Sequence, residues 1–411
     1  MPALLSPSYR EACLWREQVS PPPTCTADLP ARADVIVIGA GYCGLSAARA
    51  ATEAGASVVV LEKEALGWGA SSRNGGMVIP ELKSSPAALE KKLGLLGRRL
   101  YAEVDEAFDL LEDLAPSLDC DYARTGQLYL AHTRRHTREN EALAAELPDV
   151  TFLDRAAVRA RTGSDAFDSA AYFPRVGALH PAKYHLGLAS LSNAAIHDRT
   201  AAVGIHPGFT VETTRGEIRA DHVILATNAY ADPAVPDLAN KVVPINSYII
   251  ATQPLPVETR ELIGSQMMVD TKKLLFYWRL SPDGRMVFGG RRSLDNADVS
   301  TARDYLYDAM VRIHPQLAGV QIDYAWTGYV AMTLDRLPHV GTVDGAWYAT
   351  GCNGTGVALN SWLGHRLGQV VTGQAPPPAF AELPHPSIPL KSLSSAYLPL
   401  VGKYFGWQDR R

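Results

Sequence analysis

The residues best suited to do chemistry in this chain are Gly39-Ala40-Gly41-Tyr42-Cys43-Gly44. Glycines in this spacing serve three purposes. The first permits a tight turn, the second lets backbone approach a pyrophosphate, and the third lets a helix pack closely on a strand. The β-branched run Asp34-Val-Ile-Val-Ile38 precedes them and the alanine-rich stretch 42–54 follows. The spacing therefore predicts a strand, a glycine turn and a helix whose free N–H groups point at an anion. A second short strand, Ser57-Val-Val-Val-Leu61, ends on Glu62, where a carboxylate meets a ribose hydroxyl in dinucleotide-binding folds. Glycine turns also serve packing alone, and the motif by itself does not separate NAD from FAD.

Later residues bear on that choice. After Glu62-Lys63-Glu64 comes a loop rich in glycine and serine, Gly67-Trp-Gly-Ala-Ser-Ser-Arg-Asn-Gly-Gly76. Such a loop can pass close to a flat ring and donate backbone hydrogen bonds to it. Far downstream, Ala226-Thr227-Asn228-Ala229-Tyr230 and Gly351-Cys-Asn-Gly-Thr-Gly356 each follow an apolar run.

These four motifs, in this order, resemble the D-amino-acid-oxidase-like superfamily of FAD-dependent oxidoreductases, which includes glycine oxidase and sarcosine oxidase. Ser72 to Gly76 and Ala226 to Tyr230 are most similar to its gamma-glutamylputrescine oxidase branch. The resemblance spans residues 8–405. It implies that Gly39, Gly41, Tyr42, Cys43 and Gly44 hold the FAD pyrophosphate, with Glu62 and Lys63 at the adenosine ribose. It places Ser71, Ser72, Arg73, Asn74 and Gly75 along the pyrophosphate and isoalloxazine. Ala202, Ala226 and Thr227 lie by the adenosine, and Gly351, Asn353, Gly354, Thr355 and Gly356 aim a helix N-terminus at the flavin. The plain alternative for Arg73 is a solvated loop charge. No cysteine stands near Tyr329 to Met332, where related enzymes tether the flavin, so the FAD is expected to be non-covalent; Cys352 reads as a small buried thiol.

A flavin enzyme needs no protein nucleophile, because the cofactor carries the difficult step. The expected reaction is hydride transfer from a small primary or secondary amine to flavin N5, giving an imine that hydrolyses. Pocket candidates are Tyr277, Trp278, Tyr329, His339 and Asn353, with Phe276 and Trp326 as further wall aromatics. Their alternative is ordinary sheet packing, and His180 reads as support at a domain junction. By the resemblance, the positions that grip an α-carboxylate in sarcosine oxidase fall at about Gly76 and at Ala358. The lysine that promotes oxygen reaction falls at Val287 or Phe288. The expected substrate is thus an amine, or a compound with a distal carboxylate, and the acceptor is oxygen or another oxidant. The alternatives are an FAD-dependent amino-acid or hydroxy-acid oxidase or dehydrogenase, and a non-catalytic dinucleotide-binding protein.

The elements around these residues point to an α/β chain with an α+β second domain. A Rossmann-like FAD-binding domain is expected over 1–85, 176–235 and 326–372. An inserted antiparallel-sheet substrate domain is expected over 86–175 and 236–325, with a tail at 373–411. Residues 1–33 read as an irregular arm, 86–115 as helix, and 208–226 as a hairpin-like pair leading into a strand. The 411 residues are too many for one core. A net charge of −4 without a basic block gives nucleic acid no foothold. Five scattered cysteines suggest no metal or redox motif and a reduced, cytoplasmic protein. No signal peptide or membrane span is expected.

Overall fold

The computed structural model describes residues 4–230, 235–291, 293–294 and 296–409. Two sheets organise it. In the first, Arg32–Ile38 lies between Val58–Leu61 and Gly216–Leu225, all parallel. Ala195–His197 continues the parallel set beyond Val58–Leu61, and Ala346–Thr350 joins beside Gly216–Leu225. Arg32–Ile38 is apolar on both faces because it is covered on both. Val35 and Val37 enter one core, Ile36 and Ile38 the other. The expected separate segments at 217–226 form one strand, Gly216–Leu225, which pairs antiparallel with Thr210–Thr213 and feeds directly into the parallel core.

The second sheet has nine strands. Its order is Leu5–Arg10, Ile322–Met332, Val243–Pro254, Arg285–Gly290, Phe276–Leu280, Met267–Asp270, Gln127–Ala131, Ser169–Phe173 and Thr151–Asp154. Most neighbours are antiparallel, but Leu5–Arg10 and the Met267–Asp270 pairing with Gln127–Ala131 are parallel. Strand alternation sorts its side chains. Trp278, Phe288 and Met286 face a core built with the helix Val299–Ile313, whereas Val287, Ile249 and Trp326 face the opposite side, where they pack with Leu14, Trp15 and Ala182.

Packing departs from the expected segmentation at several places. The stretch 86–115 forms two helices, Pro86–Leu93 and Leu95–Leu114, broken at Gly94 with φ 63°. Their buried residues Leu89, Leu100, Val104 and Phe108 join the core of the first sheet, not that of the second. The strand Ile322–Met332 crosses the boundary expected at 325/326 and lies wholly in the second sheet. The irregular arm contains a strand, Leu5–Arg10, and buries Leu14 and Trp15 against the second sheet and Ala182. The tail carries the helix Ser394–Gln408, with Pro399 inside it. No described helix is long and apolar enough to cross a membrane.

The helix Gly356–Val371 lies against Tyr42–Glu53 at backbone distance. A Cβ at Gly364 would collide with the Cys43 carbonyl, and one at Gly368 with the Ala47 carbonyl. Gly364→Ala should therefore force the helices apart at a cost of about 1–3 kcal/mol. A lowered thermal midpoint is expected, and an unchanged one would show that the helices do not meet this closely.

Candidate active site

The site forms where the parallel strands end. Ile38, Leu61, Leu225 and Thr350 finish at one edge, and two helices begin there. Gly39 turns the chain with φ 103°, donates its N–H to the Leu61 carbonyl at 2.8 Å, and leaves no room for a side chain beside Ala226. A Cβ on Gly44 would collide with the Gly39 carbonyl. The first and third glycines are thus demanded by the protein's own packing.

Gly41 is different. Its φ is −83°, open to any residue, and a Cβ there would approach only Ser71 Oγ, at 3.0 Å. Nothing in the fold requires glycine at this position. The open space above a helix N-terminus is what a pyrophosphate requires. The residues present therefore fit a dinucleotide.

Glu62 orders the cradle from beside it. Its carboxylate accepts from Ala40 N and Glu64 N, both at 3.0 Å. Burial raises its pKa, and these two bonds oppose the rise. Lys63 is exposed next to it. Ser71 Oγ accepts from Tyr42 N at 3.0 Å, which joins the glycine loop to the serine loop. Ser72 is buried and its hydroxyl donates to the Gly67 carbonyl. Cys43 is buried, its thiol pushed up to about 12. Ala202 starts the strand Ala202–His206 and Ala226 hydrogen-bonds back to Ile38, with Thr227 half-buried beside it.

The serine loop is held from outside. Trp326 donates to the Arg73 carbonyl at 2.7 Å, Trp15 to the Asn74 carbonyl at 3.0 Å, and Arg279 to the Gly75 carbonyl at 2.7 Å. Arg279 also donates to the Leu179 carbonyl at 2.6 Å, and its guanidinium lies 5.2 Å from the Trp15 ring centre. Burial lowers the Arg279 pKa to about 10, so it stays protonated near neutrality. Asn74 closes the loop internally, accepting from Gly76 N at 2.8 Å and donating to Ser71 O at 2.9 Å. Arg73 is half-buried, not a solvated charge. It donates to the Thr327 and Trp68 carbonyls and stacks 5.0 Å over Trp68. Burial lowers its pKa.

At the second helix, Asn228 Oδ1 accepts from Gly351 N at 3.1 Å and so ties the 226–230 segment to the glycine turn. Asn353 adopts φ 48° and is buried. It accepts from Thr333 N at 3.1 Å and donates to Gly351 O at 2.6 Å, so its amide shapes the turn and does not line a pocket. Gly354 (φ 92°), Thr355 and Gly356 complete the turn, with Thr355 N bonded to Cys352 O at 3.0 Å.

The pocket candidates separate. Tyr277 faces the loop: a Cβ on Gly75 would lie 3.1 Å from its ring, and its hydroxyl bonds Ser247 Oγ at 3.0 Å. Tyr329 belongs to an aromatic row with Tyr230 and Trp68, at centroid spacings of 5.5 and 5.6 Å, and Cys352 packs beside it. Trp278 and Phe276 point to the opposite face, where Trp278 stacks on Phe167 and Phe288. His339 is fully buried, bonded to Asp335 at 3.0 Å, and stacked 4.0 Å from His385 of the tail. It is a structural histidine. His180 caps the helix Pro181–Leu191 through Lys183 N and meets Gln18 and Trp15, so it supports the junction.

Trp15 and Arg279 are the site residues that sequence reasoning missed; Asn228 stands in the Ala226 to Tyr230 motif, which does not itself give its role at the glycine turn. Arg279 carried a readable signal, since it shares the two-residue alternation of Tyr277. Trp15 carried none, lying in an arm without periodicity. Among the described residues, no cluster of three metal-ligating side chains is present.

The family model "DAO: FAD dependent oxidoreductase" matches residues 34–370. Gamma-glutamylputrescine oxidoreductase of Escherichia coli is 32% identical over 92% of this chain and 93% of its own. Glycine oxidase of Pseudomonas aeruginosa is 27% identical over 83% of this chain and 95% of its own. Among solved structures, glycine oxidase from Geobacillus kaustophilus superposes with a TM-score of 0.75 at 20% identity, covering 88% of this chain and 99% of that one.

Two tests follow. Gly41→Val should leave the apoprotein folded but block the phosphate path, so flavin content measured at 450 nm falls to background; a fully yellow variant would displace the cofactor from this cradle. His185 donates to the Ala40 carbonyl at 2.6 Å, and burial lowers its pKa from 6.5 to about 4. The unfolded chain then takes up this proton first, so its contribution to stability is lost as pH falls from 6.5 to about 4. His185→Gln should flatten the fall in urea midpoint between pH 7 and pH 5 by up to one proton's slope. An unchanged slope would remove His185 from that acid limb.

Proposed function

Because the chain belongs to the DAO family of FAD-dependent oxidoreductases, we propose that it oxidises the C–N bond of a small primary or secondary amine to an imine, which water then hydrolyses. When bound, FAD accepts the hydride from the carbon beside the nitrogen. The chain's own residues bind, orient and exclude water. Gly39, Gly41, Gly44 and Ser71 would hold the pyrophosphate, Glu62 the ribose, and the turn Gly351 to Gly356 the flavin's pyrimidine side. Tyr277, Tyr230 and Tyr329 would form the wall, and aromatic faces attract an amine cation as it enters.

One observation carries the choice of substrate. Neither position expected to grip an α-carboxylate can do so. Gly76 has φ 67°, and any side chain there would meet the Leu179 carbonyl and the Arg279 guanidinium. Ala358 is a buried methyl group in the helix core. The relatives are named for gamma-glutamylputrescine and for glycine, and the walled-off Gly76 favours the first kind of substrate. Val287 sits in the buried junction cluster, so no lysine is offered there to assist oxygen. We propose an acceptor other than oxygen, or slow use of oxygen, with FAD held non-covalently.

The test is anaerobic bleaching of the purified yellow protein. Amines lacking an α-carboxylate should reduce the flavin, and denaturation with acid should release it. Bleaching by α-amino acids alone would replace this reading with an amino-acid oxidase.

A further inference from the structure

The composition of the tail helix Ser394–Gln408 does not match its place on the surface. From Ala396 to Trp407 its one charged residue is Lys403, and every other position is aliphatic, aromatic, proline or glycine. A helix that is apolar all round is ordinarily buried. Among the described residues of this one, only Gly402 is buried. Pro399, Gly402 and Gly406 each disfavour a helix, so the element depends on what packs against it.

The protein itself covers the inner side. Leu398 packs with Val243, Ile245 and Ile388. A Cβ at Gly402 would meet Ser293 Oγ at 2.8 Å, and one at Gly406 would lie 3.8 Å from Leu274 Cδ1. Just past the helix, Asp409 accepts from Lys273 N at 2.7 Å and Leu274 N at 3.0 Å. Positions 398, 402 and 406 are four apart and share one side of the helix. The residues opposite them point outward: Leu400 is 64% exposed, Tyr404 53% and Trp407 43%. Leu390 and Leu393, also exposed, extend this ridge before the helix begins. Five of the eleven exposed large apolar side chains among the described residues thus lie between 390 and 407, which makes the ridge a concentrated feature.

Charge and size say what covers it. Between Glu382 and Asp409 there is no carboxylate, in a chain with 43 acidic residues among 411. Lys391 and Lys403 lie in that stretch, and Lys273 is exposed at the far end of the helix. Among the described residues none of the three has a carboxylate partner; Lys391 donates to the Val242 carbonyl. A second copy of the chain does not suit the ridge. A helix of 15 residues is about 22 Å long and about 10 Å wide, roughly 220 Å² of face against the ~800 Å² per partner of a stable protein interface. A lipid surface needs no matching shape. Leucines insert singly, tyrosine and tryptophan settle at headgroup depth, and lysines reach anionic headgroups.

We propose that the ridge from Leu390 to Trp407 docks the protein on an anionic lipid bilayer, with the tail helix lying flat in the headgroup layer. The docking is peripheral and does not depend on the amine-oxidising reading above.

The test uses the full chain with its flavin. Vesicles of phosphatidylglycerol and phosphatidylcholine in equal parts should carry it down on sedimentation, vesicles of phosphatidylcholine alone should carry down much less, and added salt should release it. The double substitution Leu400→Ser, Tyr404→Ser should weaken binding about tenfold or more with flavin content unchanged. Lys403→Glu should weaken binding to the anionic vesicles. Brominated lipid should quench fluorescence in the native protein, and that quenching should be missing in Trp407→Phe. No sedimentation with either vesicle, equal binding to both, or native binding by the substituted proteins would each overturn the proposal. A concentration-dependent dimer in light scattering, abolished by the double substitution and unaccompanied by vesicle binding, would give the ridge to a second copy and overturn it too. If the double substitution does not fold, Lys403→Glu and Trp407→Phe decide by the same readouts.

Discussion

Three consecutive carbonyls set the form of this site. Arg73, Asn74 and Gly75 each receive a hydrogen bond from a buried side chain of Trp326, Trp15 and Arg279. A buried carbonyl left without a donor costs about 1–3 kcal/mol, so the loop has few alternatives while these donors are in place. None of them comes from the first sheet. Two come from strands of the second sheet and one from the N-terminal arm. The loop that would lie along the flavin is therefore shaped by the part of the molecule that would bind substrate. Docking of the two sheets and shaping of the cofactor loop become one event. Arg279 suits this role because a planar guanidinium can donate to two carbonyls at once, Gly75 and Leu179, while a lysine presents one compact charge.

The helices obey a related constraint. Parallel strands end together, so the helices that follow Ile38 and Thr350 begin at the same edge and run side by side. Gly364 and Gly368 remove the side chains that would hold their backbones apart. Because Gly364 lies beside Cys43, the second helix begins about two turns beyond the first, and each N-terminus offers its own partial positive charge along this edge. A cradle suited to an anion at this edge follows from strand order and glycine placement, before any particular side chain is considered.

Much of this was legible in the sequence, and the limits have physical causes. The strand, glycine, helix, strand and acid order could be read because each step has a local signature, and the structure puts Arg32–Ile38, Tyr42–Glu53 and Val58–Leu61 where those signatures stand. The aromatic wall could be read only in part. Phe276, Tyr277 and Trp278 are consecutive, and the strand sends alternate members to opposite faces. Which face meets the cofactor depends on register with Gly289, which a single strand does not encode. His339 misled because a buried histidine beside a proline turn looks the same whether it meets a flavin or the His385 ring. Its partner lies 46 positions away, in a tail whose helix contains a proline and has no apolar stripe. The segment 86–115 was recognisable as helix, but its side of the molecule was not, since an amphipathic face does not name the sheet it covers.

Charge at the site leads to a last consequence. The fixed positive groups are arginines: Arg73 at the loop and Arg279 beneath it. The nearby histidines, His180 and His185, have pKa values lowered to about 4 by burial. They are neutral in the ordinary working range, and the arginines remain protonated throughout it. The protein's own charge facing the site is therefore constant across neutral pH. A flavin pyrophosphate would answer the charge near Arg73. On the proposed amine-oxidising reading, the group left to titrate would be the substrate's amine, cationic to be drawn to the aromatic wall and neutral to give up hydride. On that reading, a site built this way would leave the protonation state of the reacting nitrogen to desolvation in the pocket, with no acid–base pair on the protein needed to set it.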